Sequence, residues 1–62
     1  MLHVSLSNDQ YVLRMDSYDP ELVLFCKSLQ SAKWNPTLGV WTAPRTAPNS
    51  IELRKRGYFD DP

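Results

Sequence analysis

Two tryptophans and five cations in the second half of this chain are the residues with the clearest chemical potential. Trp34 and Trp41 lie seven positions apart. An exposed indole can stack on an unpaired nucleobase, a contact worth about 1–3 kcal/mol. The cations suit phosphate, which they contact without reading sequence and with an affinity that falls as salt rises. They are Lys33, Arg45, Arg54, Lys55 and Arg56.

The charge distribution favours a basic surface, although the whole chain has a formal net charge of zero. Residues 33–59 carry five cations against Glu52, whereas residues 1–32 carry two cations and four carboxylates; Asp60 and Asp61 balance the total. A domain polarised in this way can present one basic face to a phosphate backbone. Cations in the last turn of a helix also complement the helix dipole. A tryptophan in a small domain also commonly belongs to the core. Both explanations stay open.

Converging catalytic groups are not indicated. His3 is the only histidine and falls on the predicted solvent face of a first strand, and no serine lies in a GxSxG motif. Asp16, Asp19 and Glu21 cluster, but helix capping explains the last two better than acid–base chemistry does. With two glycines, the chain has no phosphate-binding glycine loop. We therefore expect a protein that is not an enzyme.

The single cysteine limits the disulfide and metal chemistry that this chain can support. Cys26 has no partner for an intrachain disulfide, which favours a reducing compartment, cytoplasmic or, in a eukaryote, nuclear. One cysteine and one histidine provide no zinc-ligand spacing, so we expect no metal and no cofactor. On the apolar face of a predicted helix, Cys26 itself is expected in the core. No apolar run approaches the roughly 18 residues that a membrane span needs.

Alternating apolar residues predict a first β-hairpin. Period-2 alternation is typical of a half-buried strand, and Asn8-Asp9 between the two segments supplies turn chemistry. Met15 is either the last core residue of the second strand or the first residue of a loop. The alternating positions are Leu2, Val4 and Leu6, followed by Tyr11, Leu13 and Met15.

A first helix is predicted from Pro20 to about Ser31. Asp19 suits the N-cap, Pro20 suits the first helical position, and Glu21 favours the positive end of the dipole. Apolar residues then recur at helical spacing and define one buried face. They are Leu22, Phe25, Cys26 and Leu29.

The two tryptophans predict a second hairpin, with strands over residues 32–35 and 40–43. Asn35-Pro36 begins a turn, and Gly39 can adopt the positive φ that closes one. The loop from Pro36 to Gly39 has a normal hairpin length. It brings the two indoles near each other, but the sequence leaves open whether they share a face.

A second helix is predicted from Asn49 to Arg56. Thr46 is a suitable N-cap, Pro48 fits the first turn, and Gly57 stands where a left-handed C-cap is wanted. Ile51 is expected to contact the core, with Leu53 or Tyr58 completing its face.

The predicted order of elements is ββαββα, an α+β fold with two helices packed on one face of an antiparallel sheet. The 62 residues make a single domain with a thin core, so most of the aromatic residues are expected to be structural. The ending Tyr58-Phe59-Asp60-Asp61-Pro62 fits either a complete small protein or the N-terminal piece of a longer one.

A short motif in the second hairpin resembles a known family. Lys33-Trp34-Asn35-Pro36, a short gap, Val40-Trp41 and then Pro44 is similar to the pattern basic–Trp–Asn/Asp–Pro–x(3–4)–aliphatic–Trp–x(2)–Pro of the HARP domain. This HepA-related accessory domain accompanies Swi/Snf-type annealing helicases. The resemblance covers roughly residues 10 to 58, and its specific part is confined to residues 33–44.

The resemblance implies a domain that binds branched or single-strand/double-strand junction DNA and directs a helicase motor to it. The five cations of the second half then become DNA contacts, and Trp34 and Trp41 hold the hairpin. The chain carries no ATPase motif. The competing hypothesis is a small protein-interaction module, such as a phage-type effector that docks on a host protein through Arg residues and exposed aromatics such as Tyr58 and Phe59.

Overall fold

The structure, a computed structural model, describes residues 1–59 and confirms the α+β fold with the order ββαββα. The acidic ending of residues 60–62 lies outside the described part of the chain. The elements are β1 (Leu2–Ser7), β2 (Gln10–Met15), α1 (Pro20–Ser28), β3 (Lys33–Asn35), β4 (Val40–Pro44) and α2 (Ala47–Lys55).

The four strands form one antiparallel sheet in the order β1-β2-β4-β3. Leu13 lies opposite Val4 on one side and opposite Trp41 on the other. Because residues directly opposite each other in an antiparallel pair project to the same face, this register gathers the alternating apolar residues of three strands on one face.

Both helices cover that face, as the sequence predicted. One buried cluster combines sheet residues such as Tyr11 and Leu13 with Phe25 of α1 and Leu53 of α2. Cys26 is fully buried within it, and Met15 packs against its margin. The complete cluster is Leu2, Tyr11, Leu13, Phe25, Cys26, Leu29, Ala43 and Leu53.

Each hairpin turn depends on residues that tolerate positive φ. Between β1 and β2, Asn8 and Asp9 have φ of 53° and 60°, the requirement of a two-residue type I′ turn. Between β3 and β4, Gly39 has φ of 67°, and its N–H donates to the Asn35 carbonyl at 2.8 Å. The Asn35 side chain also accepts from the N–H of Leu38 at 3.2 Å. The predicted loop from Pro36 to Gly39 is confirmed.

Helix α1 begins where predicted but ends three residues early, at Ser28. The Asp19 carboxylate accepts from the N–H of Glu21 at 3.0 Å, which confirms the N-cap. At the other end, Leu29 leaves the helix with extended φ and ψ and is buried. Ser31 then has φ of 56°. The helix cannot continue because this reversal delivers the chain to β3, which starts at Lys33 rather than at Ala32.

The reversal after α1 is held by the side chain of Asn49. Its Oδ1 accepts from the N–H of Gln30 at 2.7 Å, and its Nδ2 donates to the Gln30 carbonyl at 3.0 Å. Nδ2 also donates to the Pro44 carbonyl at 2.8 Å. With 1% of its surface exposed, Asn49 is the one buried polar residue among residues 1–59. It therefore joins the end of α1, the end of β4 and the first turn of α2.

Helix α2 spans Ala47–Lys55, two residues earlier at its start and one earlier at its end than predicted. The prediction that Ile51 contacts the core is wrong, because 55% of its surface is exposed. Asn49 and Leu53, spaced i and i+4, form the buried face of this helix. Ile51 is two residues from each, hence about 200° around the helix axis from both, and points away from the core. Gly57 has the expected positive φ, at 74°.

Thr46 occupies the predicted N-cap position of α2 without making the expected bond. Its side chain accepts no capping hydrogen bond, and its buried Oγ1 has no partner among the described residues. The two helix starts thus differ, since Asp19 caps α1 with its side chain and Thr46 does not cap α2.

Replacing Asn49 with alanine is expected to lower the free energy of unfolding by about 3 kcal/mol, because three backbone groups lose a partner in a buried site. The matched control is Asn35→Ala, which removes a single hydrogen bond at an exposed turn and should cost about 1 kcal/mol or less. Urea unfolding followed by circular dichroism measures both values. Equal losses in the two variants would contradict the central role of Asn49.

Removal of the polar side-chain group should affect the free energy of unfolding differently at the two N-cap positions. Asp19→Ala should lower the free energy of unfolding by about 1 kcal/mol, since it deletes a formed cap. Thr46→Val should leave it unchanged or raise it, because the deleted hydroxyl is buried without a partner and the extended backbone at Thr46 (φ −112°) suits valine. Thermal unfolding compares the variants. A larger loss for Thr46→Val than for Asp19→Ala would refute this assignment.

Candidate functional site

The two tryptophans face each other across the β3–β4 hairpin. Trp34 is directly opposite Trp41, and their ring centroids lie 5.5 Å apart with the planes inclined by 56°. This register answers the question that the sequence left open, because directly opposite residues share a face. Trp41 packs against the core, whereas 49% of the surface of Trp34 is exposed. Trp34 therefore offers aromatic surface to a ligand.

An open groove of about 400 Å³ runs beside this pair, and we name it the tryptophan groove. Apolar atoms dominate its surface. Met15 contributes from the end of β2, and Val23 and Lys27 contribute from α1, where their i, i+4 spacing puts them on one side of the helix. The residues that line it are Met15, Tyr18, Val23, Lys27, Trp34 and Trp41.

Tyr18 and Lys27 give the tryptophan groove its polar and charged character. Tyr18 lies in the connection between β2 and α1, and 79% of its surface is exposed. Lys27 is the one charged side chain among the residues that line the groove. A smaller adjoining groove of about 300 Å³ shares Met15, Tyr18 and Trp34 and adds Asp16. The site is thus cationic on the α1 side and acidic beyond Tyr18.

The helix that lies beside the β3–β4 hairpin is α1, not α2. The predicted DNA-binding cations at the end of α2 are therefore separated from Lys33 and Arg45. Lys33 and Pro44 line one cleft, and the N–H of Arg45, the next residue, donates to the Asp9 carbonyl at 3.0 Å. Arg56 lies instead in a cleft with Met1, where β1 begins. The nine residues of α2 put about 13 Å between these ends. The structure does not bring the five cations together on one rim.

The cations at the end of α2 differ among themselves. The Arg56 guanidinium lies over the ring of Phe25, 5.0 Å from its centroid, and this cation–π contact ties Arg56 to α1. Arg54 and Lys55 are exposed and flank Ile51. Within residues 1–59, no carboxylate lies within ion-pair distance of Lys33, Arg54 or Lys55. Within the described part of the chain, these three cations are therefore open to an external anion.

Tyr58 and Phe59 are not the exposed docking residues that the protein-interaction hypothesis expected. The ring of Tyr58 lies 5.1 Å from that of Phe25, and the ring of Phe59 lies 5.8 Å from that of Tyr11. Both residues pack against the core cluster. Their role is structural, since they close the core after α2 ends.

His3, Asp19 and Cys26 do not line the tryptophan groove. His3 Nε2 lies 2.8 Å from Asp16 Oδ1, with both side chains well exposed. Asp19 caps α1, as described above. Burial raises the pKa of the Cys26 thiol from 9.0 to about 11, an effect that a backbone hydrogen bond partly offsets. Among residues 1–59, no group of three His, Cys, Asp or Glu side chains could hold a metal ion. No helix in this range could cross a membrane.

Sequence reasoning identified Trp34 and Trp41 but missed the rest of the tryptophan groove. Val23 and Lys27 are not part of the predicted apolar face of α1, which consists of Leu22, Phe25, Cys26 and Leu29. The available signal was their i, i+4 spacing, which puts both on a stripe distinct from Phe25 and Leu29. Tyr18 carried no such signal, because its position depends on the path of the loop after β2.

Comparisons of the chain with protein-family models, with curated proteins and with solved structures find no match.

The buried thiol predicts a loss of stability in alkaline solution. Because the pKa of Cys26 is raised by folding, the unfolded state releases the thiol proton at lower pH than the folded state. The contribution of the Cys26 thiol to the free energy of unfolding is therefore fully present below pH 9.0, and it declines as the pH rises towards about 11. Urea unfolding across this range measures the decline, with Cys26→Ala as the control for other titrating groups. Parallel pH curves for the two proteins would contradict the prediction.

Proposed function

We propose that this chain is a non-catalytic DNA-binding module that recognises branched or junction DNA. The observation that carries the proposal is the combination of the half-exposed indole of Trp34 with the exposed cations Lys33, Arg54 and Lys55, which have no carboxylate partner in residues 1–59. A junction offers the matching pair of features, since it presents unpaired bases next to duplex phosphates. Stacking and phosphate contacts together suit such a substrate.

The separation of the cations suits contacts along a backbone better than contact with one phosphate. Arg45 lies just before the start of α2, near Lys33, and Arg54 to Arg56 lie at its end, about 13 Å away along the helix. One strand of DNA carries a phosphate about every 3.4 Å of helix axis, so the two groups span about four nucleotides. Binding through both groups would be sequence-tolerant and sensitive to salt.

The resemblance of residues 33–44 to the HARP motif supports the same proposal. In that family the accessory domain is thought to bring a helicase motor to branched DNA. A recognition role needs no cofactor of its own, and ATP-driven remodelling would belong to another segment or chain. The proposed setting is a reducing compartment, cytoplasmic or nuclear, in keeping with the buried free thiol of Cys26.

A protein-interaction module is the second candidate, and the apolar surface of the tryptophan groove favours it. Large apolar side chains stay exposed near this part of the fold, among them Leu24 on α1 and Leu38 in the hairpin loop. Aromatic residues with an apolar surround are typical of protein interfaces. Salt separates the two candidates, because an interface of this kind responds to ionic strength far less than phosphate binding does.

The proposal predicts salt-dependent binding to forked DNA. Fluorescence anisotropy should show tighter binding to a fork than to a blunt duplex, with affinity falling steeply between about 50 and 200 mM salt. The double variant Arg54→Gln/Lys55→Gln should reduce the slope of log K against log salt by about 1.4–1.8, the value for two phosphate contacts. Arg56 is left in place because it packs on Phe25.

The matched control is Arg14→Gln. Arg14 is an exposed cation opposite His3 on β1. It projects to the same sheet face as Lys33, but β4 separates its strand from β3, and it is not one of the proposed contacts. This variant should keep the wild-type salt slope. Absence of binding to any DNA at the lower salt concentration would refute the proposed function and leave the protein-interaction module as the leading hypothesis.

A further inference from the structure

We propose that the tryptophan groove holds one unpaired nucleobase of single-stranded DNA, stacked on Trp34, with the neighbouring phosphate bound by Lys27. This inference rests on the proposed function and deepens it, because it assigns the part of a junction that the groove would recognise. It also adds Tyr18 and Lys27 to the residues that contact DNA.

Trp34 has the position that a stacking platform needs. It lies on β3, one of the two edge strands of the sheet, so no further strand within residues 1–59 covers its outer side. Trp41 lies beside it, with ring centroids 5.5 Å apart, and packs on the core. The indole of Trp34 is therefore supported from within the fold while about half of its surface remains open. A preorganised aromatic surface of this kind loses little conformational freedom when a ligand binds.

Tyr18 supplies a second aromatic side chain on the same groove. A tyrosine with 79% of its surface exposed gains almost nothing from burial in the unliganded fold. Placed on a groove that already contains Trp34, it can cover a flat ligand that rests on the indole. Flat, sequence-tolerant stacking is how proteins hold unpaired bases.

The charges around the groove favour an anionic chain with a defined position. Lys27 is the one charged side chain on the tryptophan groove, and it stands on the α1 side. Asp16, whose Oδ1 lies 2.8 Å from Nε2 of His3, lines the adjoining groove together with Tyr18 and Trp34. A phosphate is attracted to the first side and repelled from the second, so the DNA backbone should lie along α1. Charge complementarity of this kind favours a nucleotide over an uncharged apolar side chain of a protein.

The inference predicts how the module would distinguish a fork from a duplex. A paired base is stacked within the helix and cannot enter the groove, so only unpaired arms gain the Trp34 contact. Loss of one stacked base should weaken binding to the fork by about 5- to 150-fold. Binding to a blunt duplex should be unchanged, because it depends on the cations alone.

The test compares a fork, a fork whose unpaired arms carry abasic sites, and a blunt duplex, all by anisotropy at about 50 mM salt. Wild-type protein should bind the intact fork about 5- to 150-fold more tightly than the abasic fork, with quenching of tryptophan fluorescence. Trp34→Leu should remove this preference, and Trp34→Phe should restore part of it. Lys27→Gln should lower the salt slope by about 0.7, the value for one single-strand phosphate. Asp16→Asn should tighten binding to the intact fork.

The control variant is Leu24→Ala, which removes an exposed apolar side chain of α1 that does not line the groove. It should behave as the wild type does. Equal affinity of the wild type for intact and abasic forks would overturn the inference while leaving the proposed function standing, and this comparison needs no variant to fold. Wild-type protein that binds no DNA at all would overturn both.

Discussion

The carboxamide of Asn49 is the interaction on which the arrangement of this small fold depends. It satisfies both backbone groups of Gln30 and the carbonyl of Pro44, so one side chain joins the exits of α1 and β4 to the start of α2. An amide is suited to this task because it donates and accepts in the same plane, which matches the paired N–H and C=O of a backbone residue. The site is buried, so water does not compete for these bonds.

The position of the tryptophan groove follows from that constraint. Because the backbone of Gln30 bonds to Asn49, α1 stops at Ser28 and the chain reverses into a β3 strand of only three residues. Because β3 is at the sheet edge, no other strand in the described part of the chain lies on the outer side of Trp34. The groove then opens between α1 and the Trp hairpin. The same Asn49 occupies the inward face of α2 together with Leu53, which turns Ile51 outward.

Local signals in the sequence predicted the elements, and contacts between distant residues decided the details. Asp19-Pro20 marks the start of α1 and Asn35 to Gly39 marks a turn, because capping and positive φ depend on adjacent residues. The register of Trp34 against Trp41 follows from loop geometry, and the buried amide of Asn49 follows from a partner 19 residues away. Neither feature produces a periodic pattern of apolar residues in the sequence. The prediction that Ile51 contacts the core was wrong for this reason, because a search for apolar periodicity counts a buried asparagine as a polar, solvent-facing residue.

The distribution of the aromatic residues connects stability with function. A domain of this size has a thin core and benefits from each ring that it buries. Tyr11 and Phe25 are buried, and Tyr58 and Phe59 pack against them. The two rings left most exposed, Tyr18 and Trp34, meet on one groove that carries a single cation. If these two rings were exposed independently of each other, nothing would place them on the same groove. The proposed nucleobase site accounts for their convergence, since it uses both rings and has Lys27 beside them for the accompanying phosphate.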